Sequence, residues 1–326
     1  MLEQFTGQDV RDAYERISYF VRRTPLEDSI YLGNGERRYR FKLESQQICK
    51  SFKIRGVLNV MAQLTEEQVE RGVGCISTGN HGIAVSYAAK LLGIENCVVV
   101  VPAGTPRAKL DRIRFYGARV MVMGATFDQA NVLGTNYIDC NELFLVDAGD
   151  CDPRVYAGQG TIGYELLTMH PKVDTIVVPV GSGGLITGIA VGAKSVRPDV
   201  RIVGVQTAAC PAMARSLEEG VCHTSYPTVS DTICEAVVGG VGRLACQMLP
   251  DLIDEMIVVE EADIRAALHF MVVEEQLTIE GGSAMVVAAV REYPEVVGGS
   301  NVALVISGGN ADGKTIASVL NEGGLV

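Results

Sequence analysis

Apolar positions recur along this chain in two spacings. Tyr39-Arg40-Phe41-Lys42-Leu43-Glu44 alternates and predicts a strand over 39–44. Phe52, Ile54, Val57, Leu58 and Met61 then fall on one face of a helix that follows a short turn. Upstream, Val10, Ala13, Ile17 and Phe20 mark a helix over 8–22, and Arg23-Thr24-Pro25-Leu26 breaks it. A polar stretch over 65–74 leads to Cys75-Ile76 and an alanine-rich helix over 82–92. Next come a strand (97–101), a helix opening at Pro106 and running to 116, a strand (119–123), a helix (127–137) and a strand (143–146). The alternation then restarts. Helices are predicted over 161–170, 185–194 and 263–275, and strands over 175–180, 201–206, 257–260 and 302–306.

Strands separated by helices of this length predict an α/β fold with parallel sheets flanked by helices. No repeat, linker or low-complexity tract divides the 326 residues, enough for one large domain or two ordinary ones. Hydrophobic content of 48% with 21% charged residues is that of a soluble globular protein. A net charge of −11 argues against nucleic acid and anionic membranes as partners. The start, MLEQFTGQDV, lacks a signal-peptide layout, and the longest apolar runs are far too short to span a bilayer. Nine cysteines without a C-x-x-C pair fit reduced thiols of a cytoplasmic protein, most of them core fillers. The four histidines stand apart, and no cluster has metal-ligand spacing, so no metal site is expected.

Four stretches carry candidate chemistry. The strand over 175–180 runs into Gly181-Ser182-Gly183-Gly184 and then a helix, the layout of an anion cradle built from backbone N–H groups. A dinucleotide fingerprint would need glycine where Ile186 stands and an acid where the next strand ends in Gln206. A Walker loop would need Gly-Lys-Ser/Thr, which is absent, so the pattern favours a single phosphate. Ser77-Thr78-Gly79-Asn80-His81-Gly82 is a polar turn into a helix, and from its pattern alone a plain helix cap explains it equally well. Ser307-Gly308-Gly309-Asn310 ends the last strand, where an ordinary turn is the bland alternative. Lys53 lies in the first turn of its helix, where the dipole disfavours a cation and lowers an amine pKa. Taken alone it reads as a solvated surface lysine; the other three stretches give it a companion site.

SFKIRG resembles the Schiff-base lysine motif of pyridoxal-phosphate enzymes of the tryptophan-synthase-β-like class, fold type II. The pair Ile54-Arg55 places the resemblance with the serine/threonine dehydratases, a group that includes threonine ammonia-lyases, serine racemases and hydroxyectoine-utilisation dehydratases. Cys49 and Lys50 stand where the family has Thr and Gly. The resemblance implies two interlocked domains, a large one from 1–47 plus 146–326 and a small one over 48–145, with no regulatory domain after Val326. It also implies pyridoxal 5′-phosphate as cofactor and a homo-oligomer, such as a homodimer. Lys53 would carry the cofactor and remove the Cα proton, with Phe52 beside it. Gly181, Ser182, Gly183, Gly184 and Leu185 would hold the phosphate, although Ser182 replaces a family glycine. Asn80 would contact the pyridoxal 3′-oxygen, and Ser77, Thr78, Asn80 and His81 the substrate carboxylate. Thr78 leaves elimination and racemisation both open, because serine racemases use a second hydroxyl there as an acid/base. Gln159 in AGQGTIG would shape the substrate side, Glu280 would lie near the ring, and Ser307 would face the pyridine nitrogen. STGNHG, Gly281 after Glu280, and VGGVG over 238–242 are similar to the hydroxyectoine-utilisation branch. Lys50, three residues before Lys53, is expected to share its face; it would favour an anionic substrate side chain or lower the Lys53 pKa, unless it points to solvent. The activity implied is a lyase reaction on a β-hydroxy amino acid of the threonine or serine kind. A serine-racemase-type racemase is one alternative, and a non-catalytic pyridoxal-phosphate-binding protein the other.

Overall fold

Uninterrupted runs of Val and Ile become central parallel strands because helices cover both of their faces. The computed structural model describes residues 2–33, 35–105 and 107–323. Pro106, expected to open a helix, lies outside the described residues, as do Met1 and Val326. Among the described residues the strands are β1 (Leu26–Asp28), β2 (Arg38–Lys42), β3 (Val73–Ile76), β4 (Cys97–Val101), β5 (Arg119–Val122), β6 (Phe144–Leu145), β7 (Thr175–Pro179), β8 (Arg201–Thr207), β9 (Glu255–Val259) and β10 (Asn301–Val305). They form a six-stranded sheet ordered β1-β2-β10-β7-β8-β9 and a four-stranded sheet ordered β5-β4-β3-β6. Every pairing is parallel except β1 with β2. The α/β fold with helix-flanked parallel sheets is therefore as expected. No helix is long and apolar enough to cross a membrane among the described residues.

Each sheet buries two apolar layers. In the larger, Ile176, Val178 and Ala303 pack towards helices Pro153–Met169 and Gly184–Lys194, and Val177, Val203 and Leu304 towards helices Glu261–Val273 and Gly281–Glu292. The first two helices approach so closely that a Cβ on Gly192 would lie 2.1 Å from the Gly160 carbonyl oxygen. Those glycines explain a difference from expectation. Helix Pro153–Met169 begins well before 161, with Asp152 as N-cap and Pro153 in its first turn, so Gln159 lies mid-helix. The glycines of AGQGTIG serve helix packing.

Helix Lys53–Met61 joins the two sheets. Ile54, Val57, Leu58 and Met61 belong to the core of the four-stranded sheet, and Val60 to that of the six-stranded one. Its polar anchor is buried. Arg55 is fully enclosed and donates to Glu44 at 2.8 Å and Glu165 at 3.2 Å. Lys42, also buried, completes the group on Glu165. Thr24 donates to Glu44 at 2.6 Å. Burial is the largest influence and pushes the Glu44 carboxyl pKa up, but the Arg55 charge and hydrogen bond, with Lys42 and Thr24, together hold the group below the usual value.

Other differences have local causes. The first helix stops at Ile17, not near 22. The polar stretch over 65–74 contains helix Glu66–Arg71, closed by a Thr65–Gln68 capping box. Lys50 does not share a helix face with Lys53. It precedes the helix, has a left-handed backbone (φ 58°), and is exposed beside Cys49, Arg112 and Tyr116, on a separate groove. The cysteines depart from an all-reduced set: Cys222 and Cys246 form a disulfide. Five others, Cys49, Cys75, Cys97, Cys210 and Cys234, are buried fillers.

Replacing Arg55 by Met leaves two buried carboxylates with only Lys42. Unfolding free energy is expected to fall by about 3–5 kcal/mol, the cost of breaking one side of a buried ion pair. Urea titration of wild type and variant measures this, and a loss under about 1 kcal/mol would show that the cluster does not hold the helix.

Candidate active site

Parallel strands gather their C-terminal loops on one edge, where an α/β sheet presents ligand sites. β2, β10 and β7 are neighbours, so the segments that follow them converge. Main-chain bonds set their register. Phe52 N donates to Ser307 O at 3.0 Å and Gly309 N to Lys50 O at 2.8 Å, and Ser51 pairs with Gly308 as an isolated bridge. Thus the start of the Lys53 helix is fastened to the end of β10. β3 of the other sheet contributes the 77–82 turn from the opposite side.

Between them lies a cleft of about 750 Å³. Every site residue expected from the sequence lines it, from Phe52 and Lys53 through Ser77, Thr78, Asn80, His81 and Gln159 to the 181–185 loop, Glu280 and Ser307. Lys53 Nζ donates to Ala148 O at 2.8 Å and stands 5.3 Å from the Phe52 ring centroid. Burial lowers its pKa to about 8, against the opposing pull of Asp147. A neutral amine is therefore accessible near neutral pH.

The loop holding Ala148 is itself organised by Asp147, whose Oδ2 accepts the N–H groups of Asp150, Cys151 and Asp152 at 2.9, 3.1 and 3.2 Å. His81 Nε2 lies 2.9 Å from Val146 O; a carbonyl partner assigns the ring proton to Nε2. Burial and then the Lys53 charge push the His81 pKa down to about 4, so it stays neutral. Asn80 Nδ2 donates to both Glu280 oxygens at 3.0 Å, and Asn80 Oδ1 accepts from Asn310 Nδ2 at 2.7 Å. Asn310 N also donates to Glu280, at 2.8 Å. Burial raises the Glu280 carboxyl pKa in spite of these donors.

Two helix N-termini open into the cleft. Gly184, Leu185 and Ile186 form the first turn of one, and Asn80, His81 and Gly82 that of the other; first-turn N–H groups have no carbonyl partner within their helix. Gly183 caps the first helix in a left-handed conformation (φ 97°). Its missing Cβ would sit 2.5 Å from Met213 Cε and 2.6 Å from Ala245 Cβ. Position 183 is therefore one that only glycine fills without strain, and Gly181 admits the chain past Val237, 3.0 Å from where its Cβ would be. The cleft therefore offers an anion site, an amine of lowered pKa and a hydroxyl at the end of β10. That set fits a cofactor with a phosphate, an aldehyde and a ring nitrogen.

Sequence reading missed the Ala148 carbonyl, the Asp147-centred loop, Asn310 and the wall formed by Tyr226, Val237 and Val238. Asn310 carried a signal, as the last residue of SGGN, and Val238 as the first of VGGVG.

Residues 17–308 match the family model described as pyridoxal-phosphate dependent enzyme. The L-threonine ammonia-lyase of Thermotoga maritima is 38% identical over 322 residues, covering 98% of this chain and 79% of that protein. A catabolic L-threonine dehydratase of Staphylococcus aureus is 36% identical, covering 97% and 92%. Among solved structures, the fold is similar to maize serine racemase (TM-score 0.89, 29% identity, 98% of both chains). It is also similar to the processed form of threonine deaminase isoform 2 from Solanum lycopersicum (TM-score 0.88, 30% identity, 100% of this chain and 91% of that one).

Two outcomes follow from the cleft. Capture of pyridoxal phosphate by apoprotein needs the neutral Lys53 amine. Its rate is expected to rise with pH, half-maximal near pH 8, and then level off; stopped-flow absorbance checks this, and a rate still climbing at about pH 10, as for an ordinary lysine, contradicts the lowered amine. Gly183→Ala is expected to keep the fold but weaken cofactor binding about 5- to 100-fold, from about 1–3 kcal/mol of backbone strain and crowding. Equilibrium dialysis with unchanged affinity would remove the cradle assignment.

Proposed function

We propose, from the premise that this chain belongs to the pyridoxal-phosphate-dependent enzyme family, that it is an ammonia-lyase of β-hydroxy amino acids with L-threonine as the substrate that suits its cleft. The cofactor is pyridoxal phosphate. One observation carries the reading: the Lys53 amine, its pKa lowered to about 8, faces the cleft where the cradle, the 77–82 turn and Ser307 meet. Threonine dehydratases and ammonia-lyases among the relatives support it.

When bound, the cofactor supplies the electron sink for the Cα carbanion. The protein's part is positional and acid–base. The N–H groups of residues 181–186 take the phosphate. The free first-turn N–H groups of helix Asn80–Leu92, with the hydroxyls of Ser77 and Thr78, take the substrate carboxylate. Neutral Lys53 removes the Cα proton, and the β-hydroxyl leaves as water when that proton passes to it from the Lys53 ammonium. The enamine released hydrolyses to a 2-oxo acid and ammonia. Gln159, whose Oε1 is buried without a partner among the described residues, faces the substrate side. Asn80, braced by Glu280 and Asn310, approaches the ring oxygen, and Ser307 the ring nitrogen.

Lys53 is the sole lysine or arginine lining the cleft among the described residues, and Lys50 stands on another groove. Within the cleft itself a second carboxylate would meet no further cation, which favours a neutral side chain; Lys109, Arg112 and Lys314 line the adjoining pocket that shares Thr78, Asn80 and Glu280. Products of hydroxyectoine breakdown remain in the substrate screen. The two sheets are proposed as the cores of a large domain (1–47 plus 146–326) and a small one (48–145), in a cytoplasmic homo-oligomer, with dimer the simplest form.

Holoenzyme is expected to convert L-threonine to 2-oxobutanoate and ammonia faster than it exchanges the Cα proton with solvent. Lys53→Ala should lower turnover at least about 10²–10⁴-fold, the usual worth of a positioned base. Coupled 2-oxo acid detection across threonine, serine, 3-hydroxyaspartate and hydroxyectoine-derived amino acids tests this. Racemisation without 2-oxo acid would favour the racemase reading, and no turnover of any of them a binding protein.

A further inference from the structure

Ser283 is fully buried in the first turn of helix Gly281–Glu292, behind the end of β10, and none of the roles above uses it. Its hydroxyl oxygen lies 3.1 Å from Ser307 Oγ. It accepts the Gly308 N–H at 2.9 Å and lies 3.0 Å from the Gly308 carbonyl oxygen. A hydroxyl has one proton and two lone pairs. One lone pair is taken by Gly308 N–H, so two arrangements remain. If Ser283 donates to the Gly308 carbonyl, Ser307 must donate to Ser283, and only lone pairs of Ser307 face the cleft. If Ser283 donates to Ser307, the Ser307 proton is free to point into the cleft.

The surroundings choose the second arrangement. The Gly308 carbonyl already accepts the Glu280 N–H at 3.0 Å and stays satisfied without the Ser283 proton, which is also within its reach at 3.0 Å. Ser307 Oγ has no other protein partner among the described residues that would take up its lone pairs, and no carboxylate bonds to it. We propose that Ser283 is a positioning residue that donates its proton to Ser307, turns the Ser307 hydroxyl proton into the cleft, and so holds the cofactor's ring nitrogen unprotonated. This rests on the reading that Ser307 faces that nitrogen. The two hydroxyls and the Gly308 amide form one chain, Gly308 N–H to Ser283 to Ser307, in which each member donates to the next. A donating chain polarises along its length and strengthens its last member. It presents the proton of a neutral alcohol, which pairs with a lone pair on nitrogen and not with an N–H. Ser283 thus acts on reaction choice from a place the substrate never touches.

The test uses holoenzyme reconstituted with cofactor labelled with ¹⁵N at the ring nitrogen. In the wild type the nitrogen resonance should stay in the unprotonated range from about pH 6 to 9. In Ser283→Ala the Ser307 rotor loses its donor, and the protonated fraction at low pH should rise about three- to tenfold, the equivalent of one neutral hydrogen bond. Ser283→Cys keeps the volume with a weaker donor and should fall between the two; it decides the matter if the alanine variant binds cofactor poorly. Ser307→Ala should itself shift the resonance, and in the Ser283→Ala/Ser307→Ala pair the second change should add nothing. If Ser307→Ala shifts the nitrogen but Ser283→Ala and Ser283→Cys leave it as in the wild type, Ser283 does not orient Ser307. If Ser307→Ala also leaves it unmoved, the assignment of Ser307 to the ring nitrogen fails first, and this proposal with it.

Discussion

The site depends on a buried charge. Arg55 follows Lys53 by two residues, is wholly enclosed, and bonds to carboxylates from the segment after β2 and from helix Pro153–Met169. A guanidinium in that position needs both partners, because a buried ion left unpaired is far more costly than an exposed one. The pairing therefore admits one placement of the helix, with Lys53 at its first residue and facing the cleft. A hydrophobic residue in place of Arg55 would pack but would not specify rotation about the helix axis. Lys42 on β2 and Glu165 on the neighbouring helix extend the constraint to the six-stranded sheet, so the Lys53 amine is referenced to the same sheet that carries the 181–184 loop and Ser307.

Given that anchor, the remaining geometry is a matter of strand order. Placing β10 between β2 and β7 makes neighbours of three segments that lie far apart in sequence. Their C-terminal ends share one edge, and the bridge of Ser51 with Gly308 stitches two of them directly. The four-stranded sheet brings the 77–82 turn from across the cleft. Helix Lys53–Met61 contributes to the cores of both sheets, so the amine sits at the seam where the two halves meet.

Much of this is legible in the chain. Apolar runs such as 97–101 have one good solution, a covered parallel strand, and glycine-serine turns after strands announce an anion site. SFKIRG, STGNHG, GSGG and SGGN are each readable because local chemistry, a helix end or a strand end, is written in adjacent residues. What stays hidden is long-range. Lys42, Glu44 and Glu165 look like ordinary charged residues of a strand and a helix, and only the fold brings them to Arg55. The glycines of helix Pro153–Met169 hide its start, expected only at 161, and in the fold they permit contact with helix Gly184–Lys194. Spacing alone makes Lys50 a neighbour of Lys53; the left-handed turn at Lys50 sends it elsewhere. The Cys222–Cys246 pair crosses a loop whose path no spacing rule gives.

The charges in the cleft follow one logic. A pyridoxal phosphate and an amino acid bring a phosphate and a carboxylate, yet Lys53 is the single cationic side chain lining the cleft among the described residues. Backbone N–H groups at two helix N-termini answer the anions instead, and these dipoles carry no proton that can be lost. Burial does the rest: it lowers His81 to about 4 and Lys53 to about 8, and raises Glu280. Each shift favours the neutral form of its group. A second free lysine or a charged histidine would compete for the substrate carboxylate or protonate the carbanion. Of these three groups, Lys53, which the Arg55 cluster holds in place, is the one whose lowered pKa of about 8 brings its neutral form within reach near neutral pH.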